Sequence, residues 1–219
     1  TLANKGLEVM EAKWLFDVMP EQIQVVIQPQ SIVHSAVQYN DGAIIAQLGT
    51  PDMKIPIQYA LLYPERRFLP GKRVDFFELG QITFEKPDTD TFKALKLAYE
   101  AITIGGSMPT VFNAANERAV KEFIAGEISY LDISDRIEKE MKEHHLIANP
   151  TLDEMCSNLM VGIGDEERER SRVSVYSEDD VTITFIDALL FEDNKHLVDI
   201  VRGADVSAGI YKVLFDKRI

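Results

Sequence analysis

Asp41-Gly42, set between two β-prone runs, constrains the fold more than any other pair in the chain. Glycine accepts the positive φ that a tight turn needs, so Asn40-Asp41-Gly42 predicts a hairpin between a strand ending near Tyr39 and the run at 43–49. Another strand is expected at 23–27, and residues 23–84 read as strand-rich, with a short helix near 57–62. On either side of this region the hydrophobic period is helical. Leu7, Met10, Trp14 and Val18 recur at near-helical spacing, which predicts a helix from residue 1 to about 17 with those side chains on one face. After Pro87, Asp90 stands where it can cap a helix carrying Phe92, Leu95, Ala98 and Ile102 on one stripe. Gly105-Gly106 reads as its C-cap and turn. Pro109 suits the first turn of the next helix, which runs towards Gly126. A third helix is expected at about 134–144, with Ile137 and Met141 inward. Thr151-Leu152-Asp153-Glu154 has capping-box spacing and opens a fourth.

Beyond Gly162 the charged stretch from Asp165 to Arg170 reads as a linker. The period then becomes alternating at Val173, Val175, Val181, Ile183 and Phe185. The predicted class is therefore α+β: a mixed sheet with a helix and hairpin, a small helical bundle, and a small β-rich or mixed unit. The expected division is 1–87, 88–160 and 161–219. The last part is small enough to be marginal alone and to gain from docking onto the rest; the competing expectation is that its strands complete the sheet begun at 23–84.

A formal net charge of −13 repels phosphate backbones, and no concentrated basic stripe offsets it, so no nucleic-acid partner is expected. No apolar run approaches the roughly 20 residues that span a bilayer, and no membrane partner is expected either. Cys156 is the one cysteine, which excludes an internal disulfide and fits a reducing, cytoplasmic compartment. His144 and His145 are adjacent, and neighbours on a helix point about 100° apart, too far to share one metal.

Chemistry-bearing residues gather near the start. Asn4-Lys5-Gly6-Leu7-Glu8 puts an amide, a cation and a carboxylate on nearly one face, with Asn4 and Glu8 spaced i,i+4 and Lys5 and Glu8 spaced i,i+3. For an arbitrary chain this would be a solvated face with a weak ion pair. The motifs that follow favour a site: Pro29-Gln30-Ser31, His34-Ser35, Ala46-Gln47-Leu48-Gly49 and Pro51-Asp52-Met53, then Phe112-Asn113-Ala114-Ala115-Asn116-Glu117. Together, in this order, they closely resemble 1-deoxy-D-xylulose 5-phosphate reductoisomerase from Thr1 to about Met155.

That resemblance implies an oxidoreductase that isomerises a phosphorylated ketose and reduces the product with NADPH, using a divalent metal, Mg²⁺ or Mn²⁺. Glu8 matches the last of three metal carboxylates, and a hard cation prefers such oxygen ligands. Asn4 and Lys5 match contacts to the substrate's phosphate and hydroxyls. Ser31, His34, Pro51 and Met53 match positions lining the same pocket. On the resemblance, Lys5 and His34 are the catalytic candidates, Asn4, Lys5, Ser31 and Met53 the substrate-binding ones, and Met53 also a soft wall for the cofactor. A small phosphorylated sugar is the expected substrate and a homodimer the expected assembly.

Two departures accompany it. Gln28 stands where the family has a His. The family's NADPH domain and the Asp-Ser-Glu segment with the other two metal carboxylates match nothing from Thr1 onward, and no G-x-G-x-x-G loop occurs. The chain is thus expected to be the second half of such an enzyme, inactive alone. Residues 156–219 match nothing in the family. The competing expectation is a non-catalytic interaction protein that keeps the scaffold and binds through its C-terminal part.

Overall fold

The computed structural model describes residues 1–155 and the backbone of residues 211–216. Its elements in chain order are α1 (Ala3–Phe16), a 3-10 turn (Pro20–Gln22), β1 (Ile23–Ile27), β2 (Val33–Gln38), β3 (Ile44–Leu48), α2 (Lys54–Leu62), α3 (Phe76–Leu79), α4 (Ala94–Ile104), α5 (Met108–Ile124), α6 (Asp132–Glu143) and β4 (Tyr211–Asp216). Helix and strand occur together, in keeping with an α+β class. They fall into two compact units: residues 1–21 with the described residues from 87 to 155, and residues 22–86 with β4. This grouping departs from the expected division at 1–87, 88–160 and 161–219. Helix α1 shares a core with the later helices because its small-residue face fits theirs. Strand β4 pairs with the strands of 22–86, because it satisfies backbone groups that β1 and β2 would otherwise leave unpaired. The charged stretch at 165–170, the alternating positions from Val173 to Phe185, and Cys156 lie outside the described residues.

In the first unit α1, α4, α5 and α6 bury one apolar core around Phe112, with Leu97, Ala98, Ile102, Ile133, Ile137 and Met141. The expected stripe on α4 is inward at Leu95, Ala98 and Ile102, and Pro109 sits in the first turn of α5. The capping box forms as its spacing predicts: Glu154 N–H donates to Thr151 Oγ1 at 3.2 Å, and Thr151 N–H donates to the Glu154 carboxylate at 2.8 Å. Two expectations need correction. The pattern assigns the cap before α4 to Asp90, but α4 has no side-chain cap, and the turn ahead of it is held by Asp88. Its Oδ1 accepts from the N–H groups of Asp90 at 3.2 Å and Thr91 at 3.0 Å, tying off a turn before the helix starts at Ala94. The bonds from Thr91 hold the Asp88 carboxyl below its ordinary pKa.

The second correction concerns α1. Of Leu7, Met10, Trp14 and Val18, Met10 is buried and Leu7 packs partly on the core, but Trp14 is 72% exposed. The inward side carries Ala3, Gly6, Val9 and Met10. Small side chains let α1 lie close on the buried alanines of α4, a seam that an indole would force open.

The corner between α4 and α5 is strapped from outside. Ser107 is buried; its N–H donates to the Ile147 carbonyl at 3.0 Å, and its Oγ accepts from Ile147 N–H at 3.0 Å. The same hydroxyl meets His144 Nε2 at 2.7 Å. Burial, with the charge of His145 beside it, lowers the His144 pKa, which favours the neutral ring that can accept the Ser107 proton. Gly106 has φ 55°, and a Cβ there would stand 2.4 Å from the Ile147 carbonyl oxygen, so the strap requires glycine.

Among the described residues the second unit is built on a four-stranded mixed sheet in the order β1-β4-β2-β3. Strands β1 and β4 are parallel, and the other pairs antiparallel. The hairpin forms where Asp41-Gly42 predicts it. Gly42 takes φ 87° and its N–H donates to the Tyr39 carbonyl at 2.9 Å, while Asp41 Oδ1 accepts from Ala43 N–H at 2.9 Å. Among the described residues no helix is long and apolar enough to cross a membrane.

Candidate functional site

The first two turns of α1 bring Asn4, Lys5 and Glu8 into one cluster. Glu8 Oε1 accepts from Asn4 Nδ2 at 3.1 Å, and Glu8 Oε2 accepts from Lys5 Nζ at 2.7 Å. The face is solvated at Asn4 but not at Lys5, which is only 7% exposed. A buried ammonium is costly without a counter-charge, so Glu8 fixes both its charge and its position. An ammonium carries three donors, and Glu8 engages one of them. Glu8 itself is half-buried, with its two oxygens held apart by different donors.

Among the described residues no group of three or more His, Cys, Asp or Glu side chains could hold a metal ion. Glu8 fits such an ion as a single hard ligand. Each carboxylate oxygen keeps a second lone pair beyond the one given to Asn4 or Lys5. It cannot fill a coordination sphere alone.

The second unit holds the other candidates. Gln28 is wholly buried rather than lining an open pocket. Its Oε1 accepts from the N–H groups of Ile32 at 2.7 Å and Val33 at 3.3 Å, and its Nε2 donates to Gln30. Gln30 in turn donates to Thr83 Oγ1 at 2.9 Å. Across Pro29, the Ser31 N–H donates to the Gln28 carbonyl at 3.0 Å, a β-turn with proline at its second position. This clamp holds Ser31 at φ 52°, in the left-handed region that a serine rarely adopts. The sequence marks the turn through Pro29 but gives no sign of the buried amide that secures it.

His34 sits at an irregularity in the β2–β3 ladder. Val33 pairs with Leu48 and Ser35 with Gln47, leaving His34 as the extra residue of a bulge. Bulges re-aim side chains, and here Nε2 lies 3.2 Å from the Gly49 carbonyl. A carbonyl can only accept, so that nitrogen carries a proton and donates. Pro51 and Met53 follow in the loop into α2. Asp52 Oδ1 accepts from Lys54 N–H at 3.0 Å and so steadies the helix start, a cap that sequence reasoning missed. Met53 is 61% exposed. Asn4, Lys5 and Glu8 thus belong to one unit, and Ser31, His34, Pro51 and Met53 to the other.

The DXP reductoisomerase C-terminal domain matches residues 48–159. The 1-deoxy-D-xylulose 5-phosphate reductoisomerase of Lachnospira eligens is 61% identical over 157 residues, covering 72% of this chain and 41% of that protein. The reductoisomerase of Lachnoclostridium phytofermentans is 64% identical over 158 residues, again 72% of this chain and 41% of the relative. The chain spans about two fifths of the length of these curated relatives. Among solved structures, the Zymomonas mobilis reductoisomerase in complex with NADPH has TM-score 0.69 and 42% identity, covering 74% of this chain and 43% of that one. A reductoisomerase in complex with NADPH, fosmidomycin and magnesium has TM-score 0.64 and 36% identity, covering 93% of this chain and 45% of that one. Because the C-terminal domain match takes in just over half of the sequence, and the relatives agree with it, the chain belongs to the 1-deoxy-D-xylulose 5-phosphate reductoisomerase family.

Proposed function

We propose that this chain supplies the catalytic helix and C-terminal part of an enzyme that isomerises a phosphorylated ketose and reduces the product with NADPH, in the methylerythritol phosphate pathway of isoprenoid precursor synthesis. The Asn4–Lys5–Glu8 cluster carries the reading. It joins a buried cation to a carboxylate and an amide on one helix face. Glu8 is the chain's ligand for Mg²⁺ or Mn²⁺, and Asn4 orients it. Lys5 meets the substrate's phosphate or hydroxyls, and within the second unit Ser31, His34 and Met53 are further substrate contacts, with Lys5 and His34 as the catalytic candidates. A bound divalent ion would polarise substrate oxygens and orient them. NADPH is held mainly outside these residues. A related reductoisomerase is found in complex with NADPH, fosmidomycin and magnesium, which supports this ligand set.

The test is NADPH oxidation with the phosphorylated ketose and Mg²⁺ by the full-length protein carrying these residues; no turnover would sink the reading. Within it, Lys5→Ala is expected to weaken a phosphonate ligand about ten- to a hundredfold. Charge-assisted bonds to an anion contribute roughly 1.5–3 kcal/mol each. Unchanged affinity by calorimetry would place the phosphate elsewhere.

The assembly proposed is a homodimer. Among the described strands β3 ends the sheet, and Ile44, Ile45 and Leu48 on it are exposed, an apolar edge that a second copy can cover. Light scattering should give twice the protomer mass, with Ile45→Lys shifting it towards one. A protomer mass for the unmodified protein would refute the dimer.

A further inference from the structure

Gly6 stands between Lys5 and Glu8, on the inward side of α1 that lies against α4. A Cβ built at Gly6 would lie 2.4 Å from the Cβ of Ala98, 3.7 Å from the Ala94 carbonyl oxygen and 3.7 Å from Cζ of Phe112. The first distance is far inside carbon–carbon contact, which is optimal near 3.5–4.0 Å. The other two are ordinary contacts, and the one clashing atom cannot give way. Ala98 is a fully buried methyl fixed to the backbone of α4, and Phe112 is a fully buried ring at the centre of the core.

We propose that Gly6 is a positioning residue: its missing side chain lets α1 seat directly on Ala98 of α4, and that seating sets where Asn4, Lys5 and Glu8 stand. The inference rests on the proposed function of those three residues. Any side chain at position 6 must lift α1 from α4 by about 1 Å or more. Lys5 and Glu8 are joined to that turn and move with it. A displacement of about 1 Å at a catalytic group is enough to cost on the order of a hundredfold in rate. Helix propensity pulls the other way, since Gly→Ala inside an unstrained helix is stabilising. The sign of the effect therefore separates close packing from propensity.

The experiment compares Gly6→Ala, Ala98→Gly and the double variant Gly6→Ala/Ala98→Gly in the full-length protein. The double variant moves one methyl across the seam and leaves the composition unchanged. Three readouts are taken: kcat/KM, fosmidomycin affinity by calorimetry, and the melting midpoint. Gly6→Ala should lower kcat/KM about a hundredfold and weaken fosmidomycin at least tenfold. The double variant should recover both to within a few-fold. Wild-type kcat/KM and fosmidomycin affinity in Gly6→Ala would overturn the proposal. So would a double variant that regains the melting midpoint but not ligand affinity, because the Ala98 contact would then not be what places the site. If Gly6→Ala does not fold, recovery in the double variant still decides the matter. Failure of the underlying functional reading shows separately, as full activity in Glu8→Gln.

Discussion

Replacing Glu8 with Gln is expected to lower the metal-dependent kcat/KM of the full-length protein by about 10²- to 10⁴-fold. A divalent ion stabilises transition-state charge by several kcal/mol, and each 1.36 kcal/mol is tenfold in rate. Folding should suffer much less. The amide keeps the shape of the carboxylate and one oxygen that can still accept from Lys5, so stability should fall by only about 1–2 kcal/mol. That small loss is real because Lys5 is buried and Glu8 is its counter-charge at 2.7 Å. Glu8→Ala removes the acceptor altogether and should be the more destabilising of the two, since it leaves a buried ammonium without this partner. Steady-state kinetics over a Mg²⁺ titration, run beside thermal melts, measures both effects. Glu8→Gln with unchanged activity would mean that the cluster is structural alone.

Phe112→Ala is expected to cost about 3–5 kcal/mol, the range for deleting a buried aromatic ring from a core that cannot collapse around the hole. The ring is 0% exposed, and helices from four parts of the sequence meet around it. Trp14→Ala should cost no more than about 0.5 kcal/mol, because the indole is 72% exposed. Denaturant unfolding of the two variants reads the contrast directly. Comparable losses would restore the inward stripe of Leu7, Met10, Trp14 and Val18 that the sequence spacing implies.

That contrast shows where the sequence was legible. Local devices read well because neighbouring residues specify them: the Asp41-Gly42 turn, the Thr151–Glu154 capping box, and Pro109 opening a helix. Resemblance to the reductoisomerases located the Asn4–Lys5–Glu8 group on its helix, but periodicity misjudged which side of that helix is buried. The hydrophobic pattern weighs large side chains most heavily, whereas the seam with α4 is made by the smallest ones, Ala3, Gly6 and Ala98. Contacts between distant residues left no trace either. Nothing near Ser107 announces His144 and Ile147, and nothing near Gln28 announces that its amide will hold the turn before Ser31. The place of β4 stayed open between a separate unit and the sheet begun at 23–84, since pairing partners far apart in sequence share no local pattern.

That placement has a consequence for biosynthesis. Strands β1 and β2 are joined by a tight turn and run antiparallel, yet β4 separates them in the finished sheet. While the polypeptide leaves the ribosome, the nearest partner for β1 is β2, and a direct β1–β2 hairpin is the local competitor of the native pairing. Strand β4 is translated well over a hundred residues later, a delay on the order of ten seconds at ordinary elongation rates. Throughout that interval the gap between β1 and β2 has to stay open or reopen. A nascent-chain chaperone that shields these two strands would therefore raise the yield of folded protein, and would do so without touching α4, α5 or α6, which are already complete when β4 emerges.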